Sequence, residues 1–345
     1  MKGVIFEKQG AEPKVGDVDV PKPGPDQILV KSIYAAMNPV DTMIPMMGLL
    51  VQSWPVGLGC DAAGIVVDVG ENAAKKHGFT AGDHVFGCTR PGDIRYATGN
   101  EYFLMDAFAT MRKPSNITFA QASTSGSALQ TSALGLFEGL KLAVPDPKAA
   151  SPTNRNEWVV ILGGSGSVGS AGLQLARAAG YKVIVSSSPR NFEKVKGLGA
   201  NAVFDYGAPI EEQLKAIHEA AGSNIGLIYD ATSSDDPKIA KEVFKNSSAS
   251  TKLFSTTNDW SGIPDFEGGK TYEIHLGRLG QDTEDAKPIN EAAVRYNPII
   301  QVLLASGRVK TQEYEEIGTG GFDDAIKAWK HKGDGRKVIV KIQDE

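Results

Sequence analysis

The hydrophobic pattern of the chain changes near residue 157. Before that point, short runs rich in β-branched and aromatic residues are separated by Gly, Pro and Asp, which predicts a mostly antiparallel, barrel-like domain. After it, short apolar runs alternate with stretches of helical periodicity, a pattern typical of a doubly wound parallel sheet. The strands predicted in the first part span residues 27–33, 62–69, 83–86 and 102–104. Those predicted in the second part span residues 158–162, 182–186, 202–205, 226–230, 252–255 and 272–276.

The segments on either side of the predicted parallel sheet contain further elements. Residues 118–142 have Ala, Leu and Phe at helical spacing after Thr118, a residue that can cap a helix. The pattern after residue 285 predicts helices at 291–305 and 322–331 and strands at 309–315 and 337–342. The pattern alone leaves open whether this C-terminal part joins the first domain.

A glycine-rich turn after the strand at 158–162 carries the strongest chemical signal. In a G-x-G-x-x-G turn, the first glycine permits the tight bend, the second lets backbone approach a pyrophosphate, and the third lets the helix pack on the strand. The helix N-terminus then offers N–H groups to the phosphates. Because the motif follows a strand and opens a helix, we predict a dinucleotide-binding site. Its residues are Gly164, Ser165, Gly166, Ser167, Val168 and Gly169.

The end of the next strand distinguishes between the two nicotinamide dinucleotides. An NAD site commonly has Asp or Glu about 20 residues after the glycines, where the acid binds the ribose hydroxyl. Residues 185–191 contain no acid but include Ser186, Ser188 and Arg190, and Lys194 follows one helical turn later. Hydroxyl and cationic side chains suit a 2′-phosphate, so we expect NADP(H). The alternative interpretation is that Arg190 and Lys194 lie on an ordinary solvent-exposed helix face.

Composition limits the class of protein. The 345 residues contain 36 Lys and Arg against 41 Asp and Glu, and no basic cluster stands out, which argues against a nucleic-acid or membrane partner. The chain has two cysteines, Cys60 and Cys88, which excludes a disulfide framework and favours a reducing compartment. The pattern contains no secretory signal and no apolar run of membrane-spanning length, and we expect a cytoplasmic protein.

Besides the glycine-rich turn, the chain contains four further short motifs. They are Gly59-x-Asp61-x-x-Gly64, Ala81-Gly82-Asp83-His84-Val85-Phe86-Gly87, Leu198-Gly199-Ala200 and Gly320-Gly321-Phe322-Asp323-Asp324. In this order, the motifs resemble the medium-chain dehydrogenase/reductase superfamily over nearly the whole chain. The resemblance implies an α/β fold with a GroES-like, partly open β-barrel catalytic domain and a Rossmann domain with a doubly wound parallel sheet. It implies that residues 1–125 and 286–345 form the catalytic domain, that residues 126–285 bind the dinucleotide, and that the active-site cleft lies between the two.

Within this superfamily the chain resembles the zinc-free branch of quinone oxidoreductases and enoyl reductases. Asn38-Pro39-Val40-Asp41 matches the Asn-Pro-x-Asp motif of that branch. In zinc alcohol dehydrogenases a Cys ligand takes the place of Asn38, and Gly-His-Glu stands where Gly59-Cys60-Asp61 stands here. A zinc site needs three or four Cys, His or carboxylate ligands, and no two Cys or His residues of this chain have ligand spacing. We therefore expect no metal.

A narrower resemblance, carried by Ser188-Pro189-x-Asn191-Phe192 and Phe204-Asp205-Tyr206, is to the fungal trans-acting enoyl reductases that serve polyketide synthases. It implies that Ser186 or Ser188, Lys194 and Tyr206 surround the 2′-phosphate and that Thr131 approaches the nicotinamide ribose or the substrate. The alternative for Tyr206 is a half-buried aromatic residue at a strand end, and the alternative for Thr131 is a helix residue that makes a local hydrogen bond. The expected partner is a small-molecule substrate, which a polyketide synthase could present on a carrier domain, and the expected assembly is a monomer or a homodimer.

The reaction expected from this resemblance is hydride transfer from NADPH to the β-carbon of an activated C=C bond, in an α,β-unsaturated carbonyl compound or an enoyl thioester. Asn38 and backbone N–H groups are candidates to stabilise the negative charge on the carbonyl oxygen, although Asn before Pro is also a common turn residue. The Met- and Leu-rich residues 43–50 fit either an apolar substrate wall or protein core.

The proton donor and the type of activity stay open at this stage. Mitochondrial-type enoyl thioester reductases use a Tyr shortly after the Asn-Pro-x-Asp motif, and this chain has none there. The proton would then come from water, Tyr34 or Tyr96. Two alternative functions remain, an NADPH quinone oxidoreductase and a non-catalytic, crystallin-like NADPH-binding protein.

Overall fold

The computed structural model describes residues 1–149 and 151–345, which divide into two compact units. The first unit comprises residues 1–127, 276–301 and 311–345, and the second comprises residues 128–275 and 302–310. The sequence predicted boundaries after residues 125 and 285, whereas the compact units divide after residues 127 and 275. The short segment 302–310, which the sequence assigned to the catalytic domain, belongs to the second unit.

The first unit is built mainly on antiparallel strands. One sheet has three strands in the order β2–β1–β4, and the other has the order β15–β16–β3–β5–β6–β8, with β7 also paired to β3. The strands are β1 (Lys2–Phe6), β2 (Lys14–Asp17), β3 (Gln27–Ala36), β4 (Val56–Gly57), β5 (Asp61–Val69), β6 (His84–Cys88), β7 (Tyr102–Asp106), β8 (Met111–Arg112), β15 (Tyr314–Glu316) and β16 (Lys337–Lys341).

The C-terminal strand joins the N-terminal sheet, which decides the question that the pattern left open. Strand β16 pairs antiparallel with β3, and Ile339 lies opposite Ala36. The apolar residues of β16 are fully or almost fully buried in this sheet. The chain therefore returns to the first unit after completing the second.

Short helices flank these strands, and their ends follow local rules. Helix α1 begins directly after Pro39 and ends at Gly48, which has the left-handed conformation (φ 74°) that glycine adopts without strain. Helix α3 starts with a capping box between Thr118 and Gln121. The helices of this unit are α1 (Val40–Met47), α2 (Glu71–His77), α3 (Phe119–Ser123) and α10 (Phe322–Lys330). Two helices pass from one unit into the other, α4 (Gly126–Ala133), which continues as a π-helix over Leu134–Gly139, and α9 (Lys287–Ala305).

The second unit is a parallel sheet in the order β11–β10–β9–β12–β13–β14. This is the order 3-2-1-4-5-6 of a dinucleotide-binding sheet. Its central strands are rich in apolar residues and almost completely buried, as is typical of a parallel sheet that is covered on both faces. The strands are β9 (Trp158–Leu162), β10 (Lys182–Ser187), β11 (Ala202–Asp205), β12 (Leu227–Asp230), β13 (Leu253–Thr256) and β14 (Lys270–Glu273). The helices are α5 (Ser167–Ala178), α6 (Phe192–Gly197), α7 (Ile210–Ala221) and α8 (Lys238–Lys245).

Two predicted strands are wrong in their extent. The strand predicted at 309–315 is reduced to β15, because the backbone N–H and C=O of Lys310 bond to the Gln174 side chain instead of a neighbouring strand. The strand predicted at 272–276 lies two residues earlier as β14, because its parallel register with β13 pairs Lys270 with Leu253. In both cases a tertiary partner, which the local pattern does not contain, sets the boundary.

Among the helices of residues 1–149 and 151–345, none combines the length and the apolar character that a membrane crossing requires.

Candidate active site

The three glycines of the turn between β9 and α5 meet different surroundings. A Cβ at Gly164 would lie 2.0 Å from Cγ1 of Val185, and a Cβ at Gly169 would lie 2.2 Å from the carbonyl oxygen of Gly163. A Cβ at Gly166 would have a single neighbour within 4 Å among the described residues, the Gly163 oxygen at 3.5 Å. The first and third glycines therefore serve packing, and the second leaves an open cradle. This arrangement fits a pyrophosphate beside Gly166.

The helix that follows the turn presents its N-terminus to the same cradle. Helix α5 begins at Ser167, and its N-cap, Gly166, has extended backbone. No side chain of the described residues caps this helix. An uncapped N-terminus offers N–H groups and a partial positive charge to an anion. Ser165, Ser167 and Val168 thus lie in the turn and first helical residues, where the sequence placed a phosphate site.

Helix α4 is fixed beside the start of α5 in the second unit. The Ser132 hydroxyl donates to the carbonyl oxygen of Val168 at 2.8 Å and accepts from the Tyr229 hydroxyl at 3.4 Å. Thr131, the neighbour of Ser132 on this helix, is half-buried. Because Ser132 contacts Val168, Thr131 lies on a helix that is held next to the glycine-rich turn. The predicted role of Thr131 at the nicotinamide ribose or substrate stays a prediction.

The residues predicted to bind a 2′-phosphate lie at the carboxyl ends of neighbouring strands. Ser186 lies in the last residues of β10, and Ser188 comes directly after that strand. Tyr206 comes directly after β11, which pairs in parallel with β10. Arg190 is exposed in a short 3₁₀ turn, and Lys194 lies on α6 directly after it. The carboxyl ends of parallel strands share one sheet edge, so these side chains gather along the same edge.

The two serines of this group have different local roles. The Ser186 hydroxyl is buried and accepts a hydrogen bond from the backbone N–H of Gly163 at 2.8 Å, while the Ser186 carbonyl accepts from Gly164 N–H at 3.0 Å. Ser186 therefore ties β10 to the glycine-rich turn. Ser188 is half-buried and accepts from the Asn191 side chain at 3.2 Å. Tyr206, 60% exposed, is not the half-buried aromatic of the alternative interpretation.

A buried carboxylate that the sequence analysis did not identify organises the next two loops on this edge. Asp230, at the end of β12, is fully buried and accepts from the hydroxyl of Thr232 at 2.5 Å and from the hydroxyl of Thr256 at 3.0 Å. Thr256 ends β13, so Asp230 joins the loops after β12 and β13. The position of Asp230 at the end of the strand predicted at 226–230 is the signal that the sequence offers for it.

In the first unit, Asn38 is the centre of a polar cluster of four residues. Its Oδ1 accepts from the ammonium of Lys337 at 2.5 Å and lies 3.2 Å from the hydroxyl oxygen of Ser127. Its Nδ2 donates to Oδ2 of Asp61 at 3.1 Å. Asp61 also accepts from Ser127, from the backbone N–H at 2.7 Å and from the hydroxyl at 2.5 Å. The Asn38 amide thus has internal partners on both its oxygen and its nitrogen.

Asp41, two residues after Pro39, is buried against this cluster. Its Oδ2 accepts from the Asn38 backbone N–H at 2.7 Å, and its Oδ1 has no partner among the described residues. Burial raises the pKa of Asp41 to about 7, although that hydrogen bond and the nearby Lys337 ammonium act in the opposite direction. The carboxyl group therefore titrates near neutral pH. The Asp41 carbonyl accepts from the Trp329 indole at 3.0 Å.

The two cysteines lie next to this cluster, and both are buried thiols that form no disulfide. Nδ2 of Asn38 is 3.7 Å from Sγ of Cys60. Contact with Cys88, and then burial, raise the pKa of the Cys60 thiol well above its ordinary value. Among residues 1–149 and 151–345, no group of three or more His, Cys, Asp or Glu side chains has an arrangement that could hold a metal ion.

The two tyrosines considered as proton donors have partners of their own. The Tyr34 hydroxyl donates to Glu316 at 3.1 Å, and partial burial followed by Glu316 raises the pKa of Tyr34 to about 12. The Tyr96 hydroxyl accepts from the Gln27 amide, and burial raises the pKa of Tyr96. Both hydroxyls hold their protons more firmly than an ordinary tyrosine.

The Met- and Leu-rich segment 43–50 contains both buried core side chains and exposed apolar side chains. Ile44 is buried in a core cluster that Met46 also contacts. Met47 is 63% exposed. Leu50 has a left-handed backbone (φ 62°), an uncommon conformation for a residue with a side chain.

Comparisons with known proteins agree with this architecture. Residues 24–115 match the family described as the alcohol dehydrogenase GroES-like domain. The chain is 35% identical over 357 residues to the dehydrogenase orsE of Emericella nidulans, and 97% of each chain is covered. It is 33% identical over 241 residues to the trans-enoyl reductase TOXD of Cochliobolus carbonum, which covers 68% of this chain and 76% of that protein.

A solved alcohol dehydrogenase superfamily protein from Novosphingobium aromaticivorans shares the fold, with a TM-score of 0.78 at 22% identity over 99% of this chain and 100% of its own. The match over residues 24–115 lies within the first unit. The predicted fold, a GroES-like domain together with a Rossmann domain, is therefore confirmed.

Proposed function

The chain belongs to the medium-chain dehydrogenase/reductase superfamily, and from that premise we propose that it is an NADPH-dependent, zinc-independent reductase of activated C=C bonds. Membership makes the chain an oxidoreductase that uses a nicotinamide cofactor. Its substrate would be an α,β-unsaturated carbonyl compound or an enoyl thioester. The likeness to a trans-enoyl reductase supports this choice of substrate class.

One observation carries the choice of NADPH. The carboxyl end of β10 offers hydroxyl groups and no acid, and Arg190 and Lys194 follow within the next turn of chain. An acid there would bind a ribose hydroxyl and repel a phosphate, whereas Arg and Lys attract one. In the proposal, Ser188, Arg190, Lys194 and Tyr206 surround the 2′-phosphate. Ser186 acts indirectly, because its hydroxyl accepts a hydrogen bond from Gly163 and so holds the glycine-rich turn in place.

The glycine-rich turn and the start of α5 would hold the pyrophosphate, with Gly166 giving backbone the room to approach it. When bound, NADPH supplies a hydride for the β-carbon of the alkene. The residues of the chain must then stabilise the charge that develops on the carbonyl oxygen and admit a proton to the α-carbon. Because the Tyr34 hydroxyl donates to Glu316 and burial raises the pKa of Tyr96, we assign that proton to water.

The proposed zinc independence follows from the residues around Asn38. The ammonium of Lys337 contacts the Asn38 amide and the Asp61 carboxylate there, and the Ser127 hydroxyl lies beside both of these groups. Zinc prefers soft thiolate and imidazole ligands. Among the described residues, the Cys60 thiol is the one such group in contact with the Asn38 side chain. A metal analysis of protein purified without added zinc tests this part directly.

Replacing Lys194 with Ala is expected to weaken NADPH binding about 10- to 100-fold, because the variant loses one charge-assisted hydrogen bond to the 2′-phosphate. NADH, which lacks the 2′-phosphate, should bind with its affinity changed by less than about two-fold. Isothermal titration with each cofactor measures both quantities. Lys196→Ala is the matched control, because Lys196 lies on the same helix and pairs with Glu193 at the exposed surface. Equal losses for both cofactors would mean that the phosphate site lies elsewhere.

The substrate class is tested by comparing acceptors under the same NADPH conditions. A crotonyl thioester and a simple enone are expected to be reduced faster than 1,4-benzoquinone, and the rate should not change after treatment with a chelator. Faster reduction of the quinone would favour the quinone oxidoreductase alternative. Tight NADPH binding with no turnover of any acceptor would favour the non-catalytic alternative. A carrier-bound substrate from a polyketide synthase, a cytoplasmic location, and a monomeric or dimeric state belong to the same proposal and need tests of their own.

A further inference from the structure

The side chain of Lys337 is buried although it carries a charge. Lys337 begins β16, and its side chain is 3% exposed. Its ammonium nitrogen lies 2.5 Å from Oδ1 of Asn38 and 3.3 Å from Oδ2 of Asp61, which is 0% exposed. Among the ion pairs found in residues 1–149 and 151–345, this is the one in which both partners are almost completely removed from solvent. Removing two charges from water is costly, so the pair calls for a reason beyond general stability.

The ammonium determines how the Asn38 amide is oriented. An ammonium group can only donate hydrogen bonds, so the amide atom that it contacts must be the oxygen. The nitrogen then faces Asp61, to which it donates at 3.1 Å. The opposite orientation of the amide would bring N–H groups against the ammonium and the oxygen against the carboxylate. Lys337 and Asp61 together thus select one of the two amide orientations.

The same cation balances the charge of the cluster. Asp61 accepts hydrogen bonds from the Asn38 amide, from the Lys337 ammonium and from both the N–H and the hydroxyl of Ser127. This set of contacts suits an ionised carboxylate, which accepts only. The positive charge that compensates it comes from β16, a strand that returns to the sheet from the far end of the chain. A metal cation in this cluster would be repelled by the ammonium already present.

We propose that the Lys337 ammonium is the resident cation of the site: a positioning residue that keeps Asp61 compensated and holds the Asn38 amide in its catalytic orientation. This inference rests on the proposed function for its kinetic consequences, but not for its structural ones. It assigns to a lysine of the last strand the electrostatic task that a bound metal ion would otherwise perform in such a cluster.

The test removes the cation and then supplies it again. In Lys337→Ala, the retained Cβ leaves a space with the shape of propylammonium, which is the missing part of the side chain. We expect kcat with the enone or thioester substrate to fall at least about 100-fold, while the Kd for NADPH changes by less than about two-fold. Propylammonium should restore kcat at least about ten-fold and raise the Tm of the variant in a saturable manner.

Control experiments distinguish the loss of the Lys337 charge from the loss of its side-chain volume. Propanol has nearly the same shape without the charge and should restore neither kcat nor Tm. Lys341→Ala on the same strand removes a lysine whose partner, Asp344, is exposed, and should behave as the wild type. A kcat of Lys337→Ala within about two-fold of the wild type would overturn the positioning role, as would equal rescue by propanol.

A second set of variants tests, without any substrate, whether Lys337 compensates the charge of Asp61. Lys337→Met and Asp61→Asn are each expected to lower Tm more than the Lys337→Met/Asp61→Asn double variant, because each single change leaves one buried charge uncompensated. Additive losses in Tm would overturn the inference even if propylammonium could not enter the site. If the wild-type protein reduced no activated alkene, the proposed function would fail, whereas these Tm measurements would still test the resident cation.

Discussion

Gly166→Ala is expected to lower the affinity for NADPH by at least about 100-fold while the protein stays folded, since one methyl group would obstruct several charge-assisted contacts to phosphate. The backbone at Gly166 is extended (φ −74°, ψ 171°), a conformation open to any residue. The added Cβ would make only an ordinary contact, 3.5 Å from the Gly163 oxygen. The loss should therefore appear in cofactor binding and not in stability.

The neighbouring glycine of the turn should behave in the opposite way. In Gly169→Ala the Cβ would lie 2.2 Å from the Gly163 oxygen and 2.8 Å from the Gly163 carbonyl carbon, which are backbone atoms that cannot rotate away. Helix α5 would have to move from β9, at a cost of roughly 1–3 kcal/mol or more. Thermal unfolding and NADPH titration of both variants separate the two effects. Gly197→Ala is the control, because none of the described residues has an atom within 4 Å of the added Cβ. Unchanged NADPH affinity in Gly166→Ala would show that the cradle does not hold the pyrophosphate.

Asp41→Asn is expected to remove the loss of stability that Asp41 contributes to the wild-type protein as pH rises from about 4 to about 7. Burial raises the pKa of Asp41 in the folded state to about 7, from an ordinary value of 3.8. Between these values the folded protein holds a proton that the unfolded chain has lost, so the free energy of unfolding falls as pH rises. At about 1.4 kcal/mol for each pKa unit, the full effect is roughly 4 kcal/mol.

The groups facing Asp41 explain why its contribution can be isolated. Its carboxyl meets the Asn38 N–H, the Cys60 thiol and, at longer range, the opposite charges of Lys337 and Asp61. Asparagine keeps an oxygen for the Asn38 N–H and has no proton to lose. Urea unfolding at several pH values between 5 and 8 measures the effect, with Asp19→Asn at the exposed surface as the control. Parallel pH dependence of stability in the wild type and Asp41→Asn would contradict this assignment.

The sequence predicted those parts of the fold that depend on local pattern. Strand 158–162 is a continuous apolar run that ends in glycines, and the structure has it with the same bounds. The ends of the C-terminal elements could not be predicted from local pattern, because contacts with other segments determine them. Residues 309–313 have a strand-like pattern, but the Gln174 side chain takes the backbone hydrogen bonds of Lys310.

The candidate site was predictable where it follows a contiguous motif. The glycine-rich turn and the acid-free end of β10 could be read directly from neighbouring residues. Lys337 could not, because Lys337 and Lys341 occupy equivalent ends of the same apolar strand, and only the fold buries the first beside Asp61. Ser127 likewise reaches Asn38 from a different part of the chain.

Deuterium transfer tests the proposed function most directly. Metal-depleted protein would be incubated with NADPH deuterated at C4 and a crotonyl thioester, and the product examined by mass spectrometry and NMR. The account predicts a saturated thioester with deuterium at the β-carbon and a solvent-derived proton at the α-carbon, formed without added zinc. Product formation that requires zinc, or consumption of NADPH with no label in any reduced alkene, would contradict it.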